Sequence, residues 1–268
     1  MSALTLTKHH GLGNDFLVAF DPGVPEADLP ALARRLCDRR RGLGADGLLV
    51  GESADGYAAR MVLFNADGSR AEMSGNGIRC FAQALAARRG DLTDQRILTD
   101  AGDRIVTLET TAEVDTILAS VDMGSVDPLD EPTGWGELGC HPDRPVAHLS
   151  LGNPHSVVGV DDVDAVDLML LGGKVPAINL EIVEPCDAPN EIRMRVHERG
   201  AGITQACGTG ACASAFAAAS WGLATPDDGK LGVHMDGGSA IVALDNPSTG
   251  RVTLTGPATL IATIQVDR

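Results

Sequence analysis

Two short segments carry the residue types that could move a proton: Ser74-Gly75-Asn76-Gly77 and Cys207-Gly208-Thr209-Gly210, each directly before a stretch of helical character. The first turn of a helix has unsatisfied N–H groups and a partial positive charge. Glycine lets a ligand come close to that backbone. Two such helix starts facing each other would cradle a carboxylate. The same field is expected to lower the Cys207 thiol and make it a thiolate base. A proton donor or acceptor on either side of an α-carbon is what inversion requires, one removing the proton and the other returning it to the opposite face. The plainer alternatives are helix capping for the glycine clusters and a structural buried cysteine for Cys207.

The elements around these segments follow from spacing. Ile78–Arg89 puts Ile78, Phe81, Ala82 and Leu85 on one helical face and stops at Gly90. Ala211–Trp221 is small and apolar all round, as a helix buried on every side should be. A third, amphipathic helix is expected over Leu29–Cys37, with Arg39–Arg41 as its solvated end. Short alternating runs read as strands: Leu4–Thr7, Phe16–Phe20, Leu48–Val50, Ala58–Phe64, Arg104–Glu109, Thr116–Asp122, Val146–Leu151, Ser156–Val160, Ile178–Val183, Ile192–Val196, Leu231–Met235, Ile241–Leu244, Arg251–Leu254 and Leu260–Val266. Met169–Leu171 and the methionines in general read as packing.

The chain also repeats itself. Ser74 and Cys207 are 133 residues apart, as are the strand ends Phe64-Asn65 and His197-Glu198; Leu12-Gly13-Asn14 resembles Leu151-Gly152-Asn153 at an offset of 139. Three matches in the same order point to an internal duplication. The expected fold is α+β: two similar lobes, each a mixed β-sheet or barrel wrapped around one central helix, related by a pseudo-twofold. The lobes are expected at residues 1–117 with 260–268 and at 118–259, with the active site in the cleft between them.

Composition narrows the function. With 21 Lys and Arg against 37 Asp and Glu, the formal net charge is −16, which repels phosphate backbones and anionic lipid. Neither a nucleic-acid nor a membrane partner is expected. Met1–His10 lacks a signal-peptide layout and no 18-residue apolar run occurs, so the expected location is cytoplasmic. Six cysteines in 268 residues are too sparse for a disulfide scaffold, and without a Cys-x2-Cys pair no metal site is expected. Gly42–Gly47 is a formal G-x-G-x-x-G, but it follows an arginine run and precedes a strand, the wrong order for dinucleotide binding. Gly208–Ala213 fits G-x-G-x-x-A but follows polar Thr204-Gln205, and no P-loop pattern exists. Three lysines in no distinctive pyridoxal context suggest no cofactor, so the paired helix ends and desolvation must stabilise a carbanion.

At this point a family resemblance becomes specific. His10-Gly11-Leu12-Gly13-Asn14-Asp15-Phe16, Arg41–Gly47, Phe64–Ser69, Gly75-Asn76-Gly77-Ile78-Arg79-Cys80, Gly152-Asn153-Pro154-His155, Asn179-Leu180-Glu181, His197-Glu198-Arg199-Gly200 and Ala206–Gly210 resemble diaminopimelate epimerases, in order from Lys8 to about Ala213. The resemblance implies a cofactor-independent isomerase of LL- and meso-2,6-diaminopimelate, supplying lysine and peptidoglycan precursors, and a homodimer. It implies that Gly75, Asn76, Gly208 and Thr209 offer amides to the reacting-end carboxylate. Asn14, Asn65, Asn153, Asn179 and Arg199 would hold the other amino-acid end, where an amine and a carboxylate need carbonyl acceptors and a guanidinium fork. Glu198 and His155 would lie near the reacting ammonium and the thiols.

One departure matters more than the matches: the family has a cysteine where this chain has Ser74. A hydroxyl is a far weaker acid than a thiol, and losing a positioned acid or base costs ~10²–10⁴ in rate. Ser74 is thus a substitution made to hold the enzyme inactive, a natural serine with retained activity as in hydroxyproline epimerases of the similar proline-racemase family, or the mark of an impaired paralogue. Cys80, inside the helix, reads as packing rather than a rescue. Two other functions stay open, a non-catalytic diamino-acid binding protein and a proline- or hydroxyproline-type epimerase.

Overall fold

A computed structural model of the chain describes residues 3–246 and 249–266. The outermost residues of the expected N-terminal lobe, 1–2 and 267–268, lie outside the described residues. Backbone contacts divide the chain into a first unit, residues 1–121 with 256–268, and a second, residues 122–255.

The first unit runs β1 (Leu4–Gly11), β2 (Asn14–Phe20), α1 (Leu29–Cys37), β3 (Gly47–Glu52), β4 (Ala59–Asn65), the two-residue β5 (Arg70–Ala71), α2 (Gly75–Arg89), β6 (Gln95–Thr99), β7 (Gly102–Thr110) and the start of β8 (Thr116–Ser125). The second continues with β9 (Asp127–Pro128), β10 (Val146–Ser150), β11 (Pro154–Gly159), α3 (Leu168–Lys174), β12 (Asn179–Pro185), β13 (Glu191–Glu198), β14 (Gly202–Thr204), α4 (Gly208–Ser220), β15 (Lys230–Met235) and β16 (Gly238–Asn246). Strand β17 (Arg251–Val266) returns the chain to the first unit.

The duplication is visible in the hydrogen-bonding pattern. In the first unit an antiparallel β1–β2 hairpin is followed by parallel β2–β3, antiparallel β3–β4, parallel β4–β6 and antiparallel β6–β7. The second repeats that series with β10–β11, β11–β12, β12–β13, β13–β15 and β15–β16. Both hairpins turn through a glycine in the left-handed region, Gly13 at φ 82° and Gly152 at φ 89°. Each sheet curls around its helix: α2 packs on β1, β2, β3, β4 and β7, and α4 on β10, β11, β12, β13, β15 and β16. The expected fold, two similar α+β lobes with one central helix each, is the observed one.

Burial explains the two helices. On α2 every residue from Gly75 to Ala86 is buried, and Gly90 ends it at φ 76° with its N–H on the Ala86 carbonyl. On α4, alanines leave so little side-chain bulk that Gly208 to Ala215 are all buried, which a helix surrounded by strands requires.

Four expectations need correction. The runs Arg251–Leu254 and Leu260–Val266 belong to one strand, β17, which continues through Gly256-Pro257. There it crosses buried Arg79: the Pro257 carbonyl accepts from Arg79 Nε at 3.3 Å, and a Cβ on Gly256 would lie 3.1 Å from the guanidinium carbon. The proline gives up a ladder donor where the strand's carbonyl is needed by the cation. Second, of Met169–Leu171 only Leu171 packs, against the core that Leu168 enters, while Met169 and Leu170 sit 56% and 59% exposed on α3; Met61, Met123, Met194 and Met235 are buried as expected. Third, the Arg39–Arg41 run is solvated as expected but lies beyond the end of α1 at Cys37, and Arg39, though 56% exposed, bonds Asp15 at 2.6 Å and Asp46 at 2.7 Å. Fourth, β6 and α3 were not expected.

Candidate active site

In the second unit the strand register gathers the candidate residues at one sheet end. Parallel pairing sets His155 on β11 beside Asn179, the first residue of β12. Antiparallel pairing of Leu180 with His197 then brings Glu198, the last residue of β13, to the same end. Arg199 follows in the turn, where its N–H donates to Asn179 Oδ1 at 2.9 Å, while Asn179 Nδ2 donates to the Pro154 carbonyl. Cys207 is the N-cap of α4, its sulfur accepting from the Gly210 N–H at 3.4 Å.

A hydrogen-bond chain links these side chains. Glu181 Oε1 lies 2.6 Å from His155 Nδ1. His155 Nε2 lies 3.0 Å from Asn153 Oδ1, which can only accept, so the imidazole donates there. Asn153 Nδ2 donates to Thr209 Oγ1 at 3.3 Å, and that oxygen is 3.5 Å from Cys207 Sγ. Glu198 accepts from Thr204 and from the Cys207 thiol.

The electrostatics correct one expectation. The helix start does not make Cys207 a resting thiolate. Burial comes first and the charges of Glu198 and Glu181 second; together they push the thiol well above its ordinary value, outweighing the bonds from Thr209 and the Gly210 amide. The α4 amides are real, but two carboxyls near a desolvated sulfur count for more. Burial likewise raises Glu198, against the lowering effect of its bonds from Thr204 and Cys207.

The first unit repeats the backbone and changes the chemistry. Ser74 is the N-cap of α2, with φ −141° and ψ 123° against −125° and 113° at Cys207, and its Oγ accepts from the Gly77 N–H at 3.0 Å. Asn76 Nδ2 donates to Asn14 Oδ1 at 3.2 Å, and Asn14 donates to Asp46. Buried Arg79 donates to the Gly75 carbonyl at 3.0 Å and to Asn76 Oδ1 at 2.7 Å. Asn65 stands apart from that group, exposed at the end of β4 and donating to Ser69 Oγ. Where His155 and Glu181 stand in the second unit, the matching register positions of β2 and β3 carry Phe16 and Leu49. Cys80 is fully buried and desolvation pushes its thiol up to about 12, as suits packing.

Gly210 is where the helix start and the acid meet. A Cβ there would lie 2.7 Å from Glu181 Oε1 and 3.2 Å from Cys207 Sγ; its counterpart Gly77 meets Leu49 at 3.4 Å. Gly210→Ala is therefore expected to destabilise the protein by ~1–3 kcal/mol through overpacking, measured by urea denaturation. Gly77→Ala should cost less, and equal losses would mean that Glu181 yields freely.

Sequence reasoning missed three participants. Glu181 reads in sequence only as part of the Asn179-Leu180-Glu181 motif, with nothing local that marks a role. Arg79 is an arginine on an apolar helix, a pattern that signals a buried cation with several acceptors. Asp15 is the third: burial opposes its ionisation, but hydrogen bonds from Arg39 and Lys8 win and hold its carboxyl below the usual range. As for metal ligands, Cys186, Glu191 and His234 each place one donor atom within 4.8 Å of the others, and His234 Nε2 already pairs with Glu191 at 2.9 Å.

Comparison with known proteins fits this geometry. The family model for diaminopimelate epimerase matches residues 6–128 and 148–261, taking in both helix starts and every residue of the hydrogen-bond chain. The chain belongs to the diaminopimelate epimerase family. Among relatives, the diaminopimelate epimerase of Synechococcus elongatus is 39% identical over 96% of this chain and 95% of its own. That of Geobacillus kaustophilus is 34% identical over 98% and 96%. Among solved structures, a PhzF-family phenazine biosynthesis protein from Bacillus anthracis superposes over the whole of both chains with a TM-score of 0.79 at 15% identity, a likeness of fold. Among the described residues, no helix of this diaminopimelate epimerase family member is long and apolar enough to cross a membrane.

Proposed function

We propose that the chain interconverts LL- and meso-2,6-diaminopimelate by proton transfer at one α-carbon, without a cofactor. The observation that carries this reading is the N-cap thiol of Cys207, held by Glu198 and by the Asn153–Thr209 pair, in a chain that matches the family across both units. Cys207 and the residue at position 74 act on opposite faces of the α-carbon, so the reaction needs the two helix starts to meet at one substrate. Amides of Gly75, Asn76, Gly208 and Thr209 receive the reacting-end carboxylate and take up charge as the carbanion forms. Glu198 and His155 face the ammonium group, whose positive charge offsets the anionic surroundings of Cys207 and lets the thiol give up its proton. Asn14, Asn65, Asn153, Asn179 and Arg199 hold the distal amino acid. The product serves lysine and cell-wall precursor synthesis in the cytoplasm, from a homodimer.

Isothermal calorimetry tests the substrate class. LL- and meso-diaminopimelate should bind, while proline and trans-4-hydroxyproline should bind at least ~100-fold more weakly, because the polar groups meant for the distal end stay unpaired. Equal or tighter binding of proline would overturn the assignment. Ser74 also favours a second reading, a protein that binds diaminopimelate without turning it over. Binding with no isotope exchange in any variant would establish it.

A further inference from the structure

Glu181 is a buried acid for which the reaction above has no use. It is 0% exposed, one oxygen bonds His155, and the other, Oε2, has no hydrogen-bond partner among the described residues. A half-satisfied buried carboxyl is costly, and the fold makes room for it twice over, with a glycine at position 210 and with a histidine on the neighbouring strand. The duplication supplies an internal control. The register equivalents in the first unit are Leu49 and Phe16, so the fold does not itself require an acid–imidazole pair beneath a helix start.

We propose that Glu181 is a positioning residue for Cys207: through His155, Asn153 and Thr209 it anchors the hydrogen-bond chain that ends on the sulfur. The chain has one direction. His155 Nε2 donates to Asn153 Oδ1 and Asn153 Nδ2 donates to Thr209 Oγ1, so the Thr209 hydroxyl is left to donate toward Cys207. Glu181 fixes the imidazole at the head of that series with its 2.6 Å bond to Nδ1. Two carboxyls bear on Cys207 by their charge, Glu198 from β13 and Glu181 from β12. Only Glu198 lies within reach of the thiol itself. Glu181 thus acts through three intervening residues, and it makes the two helix starts unequal, because the matching register position in the first unit carries Leu49. The inference deepens the epimerase reading and rests on Cys207 being an acid–base group.

The test reads the thiol directly. The rate of Cys207 alkylation by iodoacetamide is followed against pH by peptide mass spectrometry in the full chain and in Glu181→Gln, which keeps size and shape. The midpoint should fall by about one pH unit on loss of the nearby charge. Glu181→Asp, which keeps the charge but draws it back from the helix start, should lower it by less and serves if the glutamine variant does not fold. A purely structural Glu181 would lower the melting temperature and leave the midpoint in place, and an unmoved midpoint in whichever variant folds overturns the proposal. The function is judged separately. An unmoved midpoint alongside diaminopimelate turnover by Ser74→Cys sinks this inference alone, while a moved midpoint with no isotope exchange in any variant supports the effect on the thiol and sinks the epimerase reading.

Discussion

Ser74→Cys is expected to raise LL-to-meso conversion by ~10²–10⁴-fold over the chain as it stands, the usual worth of one positioned acid or base. The local structure says why a thiol should work there. The N-cap geometry at Ser74 matches that at Cys207 within about 20° in both dihedrals, so a sulfur at position 74 enters a backbone already shaped for one. Its surroundings differ in sign. Arg79, buried one turn along α2, holds a positive charge against the Gly75 carbonyl, and the matching strand position carries Leu49 where the second unit carries Glu181. A thiol beside a helix start and a cation ionises readily, whereas Cys207 rests protonated. The restored protein would then begin its cycle with a base on one side and an acid on the other, the protonation pattern that a single inversion consumes. Chiral chromatography of LL-diaminopimelate after incubation measures the gain. No gain from Ser74→Cys in a folded, ligand-binding chain would mean that position 74 is not a proton-transfer site.

Much of this arrangement is legible in the residues before any coordinates. The two helix starts, their 133-residue spacing and the wrapped-helix lobes follow from periodicity and glycine placement, because those signals are local. The Leu29–Cys37 helix has the bounds its amphipathic spacing sets. What escaped is non-local. Glu181 reads in sequence as one residue of an alternating strand, and only the parallel pairing of β11 with β12 shows that it meets a histidine rather than solvent. The sign of the Cys207 shift escaped for the same reason: helix capping is visible in a tetrapeptide, but the opposing carboxyls come from residues 9 and 26 positions upstream. Strand β17 reads in sequence as two runs with Gly256-Pro257 between them, and only the Arg79 cation it crosses shows why one strand continues there. Met169 shows the limit of composition, since an apolar residue on a seven-residue helix has no assured inner face.

In deuterium oxide the chain with Ser74 is expected to wash deuterium into the α-position of bound diaminopimelate on one face, with little inversion, and Cys207→Ala is expected to cut that uptake by ~10²–10⁴-fold. Exchange needs only one competent group: the sulfur takes the α-proton, trades it with solvent, and returns a deuteron to the same face. Since burial, Glu198 and Glu181 raise the thiol, the sulfur is neutral at low pH and becomes a base as pH rises, so uptake should climb with pH through the neutral range and beyond. Alanine also removes the cap on the Gly210 amide, a loss of ~0.5–2 kcal/mol. Cys207→Ser separates the two effects, because a serine oxygen caps a helix well and is a far weaker acid than a thiol. If both variants bind diaminopimelate by calorimetry and both lose exchange, while only alanine lowers the melting temperature, the sulfur is the base. Exchange that persists unchanged in Cys207→Ala would assign proton removal to Glu198, the other raised acid within hydrogen-bonding reach of that sulfur.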